Sequence, residues 1–285
     1  MRLGGPIFLD ATDPALLVRE HQRLGLSAAY CPEIADPVLR TDTCQAFAEA
    51  DIVLAEVGAY CINILDTDPV LRRQNVETIC RRLAYADEMG ARCCVMHGGS
   101  VSTGKEGWIT ANLASISRPA FDDTVLGLQA IIDAVKPQRT KLTLEMTAWL
   151  FPYNAQVYAE LLAAVDRPAF AVHLDPINIL DSPVACLRNS EILRECFALL
   201  GPGIVSCHAK DVLLKGVYEP IHICETYPGE GMLDFHTYLR ELSRLPQEPP
   251  LMIEHLGPEQ LPAAIAHIVK VAAEVGASFR QTTPA

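Results

Sequence analysis

Short apolar runs alternate with helical stretches along the whole chain, and this alternation limits the fold more than any other feature of the sequence. Eight runs have strand character, near residues 4–9, 27–33, 58–64, 92–97, 140–147, 169–175, 203–209 and 250–255. Helical periodicity fills the stretches 14–24, 42–56, 70–89, 123–136, 155–165, 189–200, 235–245 and 258–275. Buried strands that alternate with helices are typical of parallel sheets, and eight such strands can close into a barrel. We therefore predict an α/β protein with a (β/α)8 barrel.

The length and composition of the chain fit one such barrel. The 285 residues are 50% hydrophobic, which is enough for a large core, and no low-complexity tract or linker interrupts the alternation. Pro69 is expected to open the third helix, and Asp234 is expected to cap the helix that begins at Phe235. We predict a single domain over residues 1–285.

Charge and hydropathy exclude several classes of partner. The formal net charge is −12, which argues against a broad surface for binding the phosphate backbone of nucleic acid. The N-terminus lacks a signal-like segment, and no apolar run reaches about 18 residues. The ten cysteines lie mostly in apolar runs without Cys-x-x-Cys spacing, which is typical of buried reduced thiols. We expect a cytoplasmic protein that binds neither nucleic acid nor membrane.

Four residues of metal-ligand type end apolar runs in the second half of the chain. They are Glu145, Asp175, His208 and Glu254. The carboxyl ends of the strands of a parallel barrel meet at one face, and isolated buried carboxylates are costly, so we expect the four side chains to converge. Three carboxylates and one imidazole suit Mn²⁺, Mg²⁺ or Co²⁺, and Zn²⁺ is tolerated. The sequence thus predicts a site for one divalent metal ion.

Two connections are longer than a plain barrel needs. Residues 98–122 follow the fourth predicted strand, and residues 210–233 follow the seventh. Because both follow strands, both are expected on the face that carries the four candidate ligands, where long loops often bind substrate or cover the site. A packing or oligomer role is the alternative.

Several short motifs resemble the xylose isomerase-like TIM barrel family, which includes sugar and sugar-phosphate isomerases and epimerases and endonuclease IV. They are Val95-Met-His97-Gly-Gly, Leu144-Glu145, Leu174-Asp175-Pro-Ile-Asn178, His208-Ala-Lys210-Asp211 and Ile253-Glu254. The resemblance covers nearly the whole chain. It implies a TIM barrel whose residues Glu145, Asp175, His208 and Glu254 hold one divalent metal ion, and often a homo-oligomer.

The chain departs from two branches of that family. Endonuclease IV uses three zinc ions and further histidines, one of them three residues after the aspartate of the sixth strand. This chain has Asn178 there, and the run Cys61-Ile-Asn-Ile-Leu65 offers no histidine either. Ketose 3-epimerases also carry a substrate-contacting histidine at the position of Asn178. DNA repair is therefore disfavoured, and close identity with the ketose 3-epimerases is in doubt.

The resemblance implies a reaction at a carbon next to a carbonyl. The metal would draw charge from the carbonyl of a sugar, sugar phosphate or hydroxy-ketone, while Glu145 or Glu254 removes the adjacent proton and leaves an enediolate. Return of the proton to the neighbouring carbon gives isomerisation, and return to the opposite face gives epimerisation. Loss of a hydroxyl instead would make the protein a dehydratase of an inosose-like keto-polyol. A non-catalytic carbohydrate-binding relative is the alternative from another class.

Other residues are candidates for contact with the substrate, in addition to Asn178. His97 ends the fourth strand in a Gly-rich loop, and Lys210 and Asp211 directly follow His208. Trp149 is placed to form an apolar wall against a sugar ring, and Glu230 resembles part of a mobile Gly-rich segment of family members. Structural histidines, loop ion pairs, core packing and solvent-exposed carboxylates are the corresponding alternatives.

Overall fold

A computed structural model describes residues 1–216 and 220–282. Its strands are β1 Arg2–Gly5, β2 Ala28–Tyr30, β3 Val53–Gly58, β4 Cys93–Met96, β5 Lys141–Leu144, β6 Phe170–Leu174, β7 Ile204–Ala209, β8 Asp211–Lys215, β9 His222–Thr226 and β10 Pro250–Ile253. Its helices are α1 Pro14–Leu24, α2 Pro37–Glu49, α3 Pro69–Met89, α4 Arg118–Val135, α5 Ala155–Val165, α6 Pro183–Leu187, α7 Asn189–Leu200, α8 Phe235–Leu242 and α9 Leu261–Glu274.

Eight strands form a closed parallel barrel, which confirms the predicted (β/α)8 TIM barrel. Their order around the barrel is β1, β10, β7, β6, β5, β4, β3 and β2. Barrel strands that follow one another along the chain pair with each other, and β10 closes the barrel by pairing with β1. Since the strands are parallel, all their carboxyl ends lie at one face of the barrel.

The third strand lies earlier in the chain than the predicted run 58–64. Helix α2 ends at Glu49, Asp51 has a φ of 55°, and β3 then runs over Val53–Gly58. Helical periodicity predicts a helix over 42–56, but Leu54, Ala55 and Glu56 belong to β3, because burial in the barrel outweighs the local preference of these residues for a helix. Cys61, with a φ of 60°, lies in the connection after β3.

The remaining predicted elements agree with the structure in type, with shifts at their ends. Pro69 is the first residue of α3, and the Asp234 side chain accepts a hydrogen bond from the backbone N–H of Thr237 at the start of α8. The long connection 210–233 contains the antiparallel hairpin β8–β9, which we had not predicted, and its residues 217–219 lie outside the described residues.

The chain divides into two compact units by its internal contacts. The first consists of Met1–Ala55, Asp175–Pro202 and Ser206–Ala285, and the second consists of Glu56–Leu174 and Gly203–Val205. Ala28, Ala55 and Met252 form a buried cluster in the first unit. In the second unit, Thr143 is fully buried and donates a hydrogen bond to the carbonyl of Cys94. The prediction of one domain over 1–285 stays a prediction.

The described residues bear on two further expectations. No helix among them is both long enough and apolar enough to cross a membrane. The ten cysteines, all within the described residues, form no disulfide, and Cys61 is exposed. The thiol of Cys196 is buried in α7, and this burial raises its pKa to about 12, so it stays protonated and unreactive near neutral pH.

Candidate active site

The four predicted metal ligands lie together at the carboxyl ends of their strands. Glu145, Asp175 and Glu254 directly follow β5, β6 and β10, and His208 is the fifth residue of β7. Each of the four offers one ligand atom, and these atoms lie within 4.8 Å of one another. Asp175 and His208 are fully buried, whereas the side chain of Glu254 is 15% exposed.

The imidazole of His208 is held between two of the carboxylates. Its Nδ1 lies 3.0 Å from Glu254 Oε2 and 3.3 Å from Asp175 Oδ2. The hydroxyl of Tyr238, on α8, donates a hydrogen bond of 2.8 Å to the backbone carbonyl of His208. Burial raises the pKa of Tyr238 well above its usual value, so the hydroxyl remains a donor over the whole physiological range. Tyr238 therefore fixes the backbone that carries the imidazole.

A lysine shares this cluster. The Nζ of Lys210 lies 2.7 Å from Asp175 Oδ2 and 2.5 Å from Glu254 Oε2, and 3.9 Å from Glu225 Oε2. Lys210 is 1% exposed, although lysine is rarely buried unless it is paired. We had placed Lys210 among the substrate contacts, and in the structure its ammonium lies directly between two candidate metal ligands.

The donor set fits a divalent cation. Carboxylate oxygens are the donors that Mn²⁺ and Mg²⁺ prefer, and a single imidazole is compatible with Mn²⁺, Co²⁺ or Zn²⁺. Four protein ligands would hold such an ion and would leave room for two oxygens of a substrate. The residues that would hold such an ion are Glu145, Asp175, His208 and Glu254.

Near Glu145 the site has an aromatic wall that our sequence reasoning missed. His97 Nε2 lies 3.8 Å from Glu145 Oε2, and the His97 ring lies between Tyr60 and Trp108, with centroid distances of 5.5 and 4.8 Å. Trp108 also lines a cavity of about 280 Å³ together with Asn63 and with residues of α3 and of two loops. The available signal was a lone tryptophan in the long connection 98–122, a stretch that we had assigned to the catalytic face.

Trp149 is predicted to form an apolar wall against a sugar ring. Its side chain is 42% exposed, and its Nε1 donates a hydrogen bond of 2.9 Å to the carbonyl of Ile109. Asn178 lies in a short 3-10 turn over Ile177–Ile179, and Glu230 is exposed and accepts a hydrogen bond from Thr226 Oγ1. A role of these three residues in substrate binding stays a prediction.

Asp211 holds the loop that follows the hairpin. Its carboxylate accepts hydrogen bonds from the backbone N–H groups of Val212, Gly229, Gly231 and Leu233, at 2.8 to 3.1 Å. A Cβ at Gly231 would lie 2.3 Å from Asp211 Oδ1, so this close approach requires glycine. The role of Asp211 as a substrate contact stays a prediction, and in the structure its carboxylate binds the backbone of Val212 and of 229–233.

A second pair of titratable groups is buried in the second unit, one on β3 and the other on β6. His173 Nδ1 lies 3.3 Å from Glu56 Oε2, and both side chains are at most 2% exposed. The position of His173 two residues before Asp175 predicts a buried or supporting role rather than metal ligation. Glu56 had no predicted role, because we had assigned it to a helix.

The fold and the site define a (β/α)8 barrel with a candidate metal centre at the carboxyl ends of its strands. Residues 23–274 match the family model described as xylose isomerase-like TIM barrel, so the chain belongs to this family. A search of curated proteins gave no match to the sequence.

Solved structures share the fold at low sequence identity. Endonuclease IV from Thermus thermophilus is 19% identical with a TM-score of 0.72, over 96% of this chain and 100% of that one. D-psicose 3-epimerase from Clostridium cellulolyticum H10, solved with D-tagatose, is 12% identical with a TM-score of 0.67, over 96% and 99%. A probable 3-DHS dehydratase from Bacillus anthracis is 14% identical with a TM-score of 0.68, over 96% and 99%. At these identities the likeness concerns the fold.

Proposed function

We propose that this protein is a divalent-metal-dependent isomerase or epimerase that acts on a sugar, a sugar phosphate or a related hydroxy-ketone. The observation that carries the proposal is the convergence of Glu145, Asp175, His208 and Glu254 at the barrel mouth, with ligand atoms within 4.8 Å of one another. Membership of the xylose isomerase-like family and the shared fold of a sugar epimerase support the same class of reaction. The cytoplasmic location and a homo-oligomer remain expectations from sequence.

The reaction needs charge withdrawal from a carbonyl and a base beside the adjacent carbon. A divalent ion held by the four ligands supplies the charge withdrawal when it is bound. The base is Glu145 or Glu254, because their carboxylates come from β5 and β10 and can face a bound substrate from two directions. Proton removal leaves an enediolate, and the same or the opposite carboxylate returns the proton. Two carboxylates on different strands therefore suit epimerisation as well as isomerisation.

His97 has the position of a hydrogen-bond donor to the substrate. Its ring lies between Tyr60 and Trp108, which restricts its rotation, and its Nε2 is 3.8 Å from Glu145. A donor at this distance from the proposed base can orient a hydroxyl of the substrate next to the carbon that reacts. The apolar face of Trp108 can pack against the C–H face of a sugar ring.

The test is metal analysis followed by hydrogen exchange. Protein purified without added metal is analysed for its ion content, loaded with Mn²⁺, and incubated in deuterated water with ketoses, hydroxypyruvate and inosose. We expect about one divalent ion per chain and incorporation of deuterium next to a carbonyl of at least one substrate. Exchange accompanied by loss of water would identify a dehydratase, and Mn²⁺ binding without exchange on any substrate would favour a carbohydrate-binding protein.

Site variants and matched control variants test which residues are needed for ion binding and for hydrogen exchange. Glu145→Gln and His208→Ala should lose both the ion and the exchange. Glu160→Gln, on the exposed side of α5, and His236→Ala, on the exposed side of α8, make the same chemical changes away from the site and should behave as wild type. If wild-type protein took up no divalent ion under any loading condition, the proposal would be wrong.

A further inference from the structure

Lys210 carries a buried positive charge at the position where a metal ion would also be attracted. Its ammonium contacts Asp175 and Glu254 at 2.7 and 2.5 Å, and the side chain is 2% exposed. His208 contacts the same two carboxylate oxygens, Asp175 Oδ2 and Glu254 Oε2. Two of the four candidate metal ligands therefore already share the positive charge of a side chain of the protein itself.

Simultaneous contact of a divalent ion and the Lys210 ammonium with Asp175 and Glu254 is unfavourable, because the two cations repel each other. Like charges that share a buried site repel each other, and a divalent ion repels the ammonium about twice as strongly as a monovalent ion would. The metal gains from the same carboxylates that the ammonium holds, so binding of one weakens binding of the other. The long, flexible stem of lysine allows its ammonium to move without movement of the backbone.

The structure also contains a second partner for the displaced ammonium. Glu225, on β9, places its Oε2 3.9 Å from Lys210 Nζ, and its side chain is 35% exposed. It is held in place by His255, whose Nδ1 lies 3.0 Å from Glu225 Oε1. Glu225 does not belong to the group of four candidate ligands, so it stays available when a metal is bound.

We propose that Lys210 is the counter-ion of the metal-free site, and that its ammonium moves from Asp175 and Glu254 to Glu225 when a divalent metal binds. The inference rests on the metal site of the proposed function. It assigns Lys210 and Glu225 as positioning residues that act through the carboxylates and are not metal ligands. The competing cation keeps the carboxylates paired before loading and sets how tightly the metal is held.

The first experiment titrates metal-free protein with Mn²⁺. Electron paramagnetic resonance measures the concentration of free Mn²⁺ at each step and so gives the affinity. Lys210→Met removes the competing cation and should tighten Mn²⁺ binding at least about fivefold, the lower end of typical coupling between sites. The same variant should lower the unfolding temperature of the metal-free protein more than that of the loaded protein. Lys215→Met, on the exposed end of β8, makes the same change in net charge and should leave both quantities as in wild type.

Lys210→Arg is the control that separates the loss of charge in Lys210→Met from a defect in folding. Lys210→Arg keeps a cation beside Asp175 and Glu254, so it should bind Mn²⁺ no tighter than wild type does. Circular dichroism of each metal-free variant checks that it is folded. A Lys210→Arg protein that bound Mn²⁺ more than about fivefold tighter would show that packing, not charge, controls affinity.

A double-mutant cycle tests the movement to Glu225. Glu225→Gln should weaken Mn²⁺ binding in the wild-type background, because the ammonium then has no second carboxylate. In the Lys210→Met background the same substitution should have a much smaller effect, since no ammonium needs a partner. An equal loss in both backgrounds would mean that Glu225 acts only through its own charge, and the displacement would be wrong.

The outcomes separate this inference from the proposed function. Wild-type protein that binds Mn²⁺ while Lys210→Met binds it equally or more weakly would overturn the counter-ion role and leave the metal site intact. Wild-type protein that binds no Mn²⁺ would overturn both. The expected result is tighter binding in Lys210→Met together with a Glu225→Gln penalty that depends on Lys210.

Discussion

Two buried aspartates of this protein, Asp175 and Asp211, differ in their partners. Asp211 accepts four backbone N–H groups, from Val212 and from the loop 229–233. Asp175 accepts one backbone N–H, from Ile177, and its other partners include the ammonium of Lys210 and the imidazole of His208. A carboxylate held by backbone donors is part of the framework, because its partners cannot leave without unfolding. A carboxylate balanced by charged side chains can exchange those partners for a ligand.

The contrast continues between adjacent residues of the chain. Lys210 and Asp211 are neighbours at the transition from β7 to β8, and successive side chains of an extended chain point to opposite sides. The lysine therefore reaches the carboxylates at the barrel mouth, while the aspartate reaches the loop that follows the hairpin. One dipeptide thus contributes to both the candidate site and the loop beside it.

The largest expected effect belongs to Asp175. Asp175→Asn removes one candidate metal ligand while keeping its shape, so Mn²⁺ binding should be lost and kcat/KM should fall at least about 100-fold on any substrate found by hydrogen exchange. Its free energy of unfolding should change less than that of Asp211→Asn. Titration with Mn²⁺ and denaturant unfolding of the two proteins measure both quantities. Retained Mn²⁺ affinity would remove Asp175 from the ligand set.

Asp211→Asn should show the reverse pattern. The substitution replaces a carboxylate oxygen by an NH₂ group that faces backbone donors, so the free energy of unfolding should fall by about 3 kcal/mol while Mn²⁺ still binds. Gly231→Ala is the matched variant, because its Cβ would lie 2.3 Å from Asp211 Oδ1 and disturb the same hydrogen bonds. If Asp211→Asn lost Mn²⁺ affinity with unchanged stability, the distinction between the two aspartates would fail.

The sequence predicted the charged site better than it predicted the surrounding loops. Asp175 and Glu254 end short apolar runs that are typical of buried strands, and the carboxyl ends of such strands lie at the barrel mouth. The third strand was misplaced because Leu54, Ala55 and Glu56 favour a helix and only the barrel makes them a strand. Long-range packing of loop residues leaves no periodic pattern, and for this reason Trp108 was missed.

Trp108 and Trp149 allow a similar comparison at the aromatic wall beside His97. Trp108 packs against His97, whereas Trp149 is bonded through its Nε1 to the loop carbonyl of Ile109. Trp108→Leu should raise KM about three- to tenfold with little change in kcat, since aromatic packing contributes about 0.5–1.5 kcal/mol. Trp149→Leu should change KM less. Steady-state kinetics of the two variants decide which tryptophan faces the substrate, and a larger effect of Trp149 would reassign the wall.

The smallest expected effect concerns His21. Like Asp211, His21 is a buried titratable residue with a hydrogen-bond partner in the backbone. His21 is 2% exposed, its Nδ1 lies 2.8 Å from the carbonyl of Leu17, and its ring packs edge-on against Phe47 at 5.4 Å. Burial lowers the pKa of His21 from its usual value of 6.5 and outweighs the hydrogen bond to Leu17, which raises it. The unfolded chain therefore binds a proton at a higher pH than the folded protein does.

This difference fixes the sign of the pH dependence. Stability from the neutral His21 is fully present above pH 6.5 and is lost as the pH falls from there toward the lowered pKa of the folded state. The slope from one such group is at most about 1.4 kcal/mol per pH unit. His21→Phe should flatten this part of the stability curve, measured by denaturant unfolding between about pH 8 and 5, whereas His236→Ala, at an exposed histidine, should not remove the loss assigned to His21. Mn²⁺ affinity should be unaffected by His21→Phe, because a buried group with a backbone partner contributes to stability and not to the site.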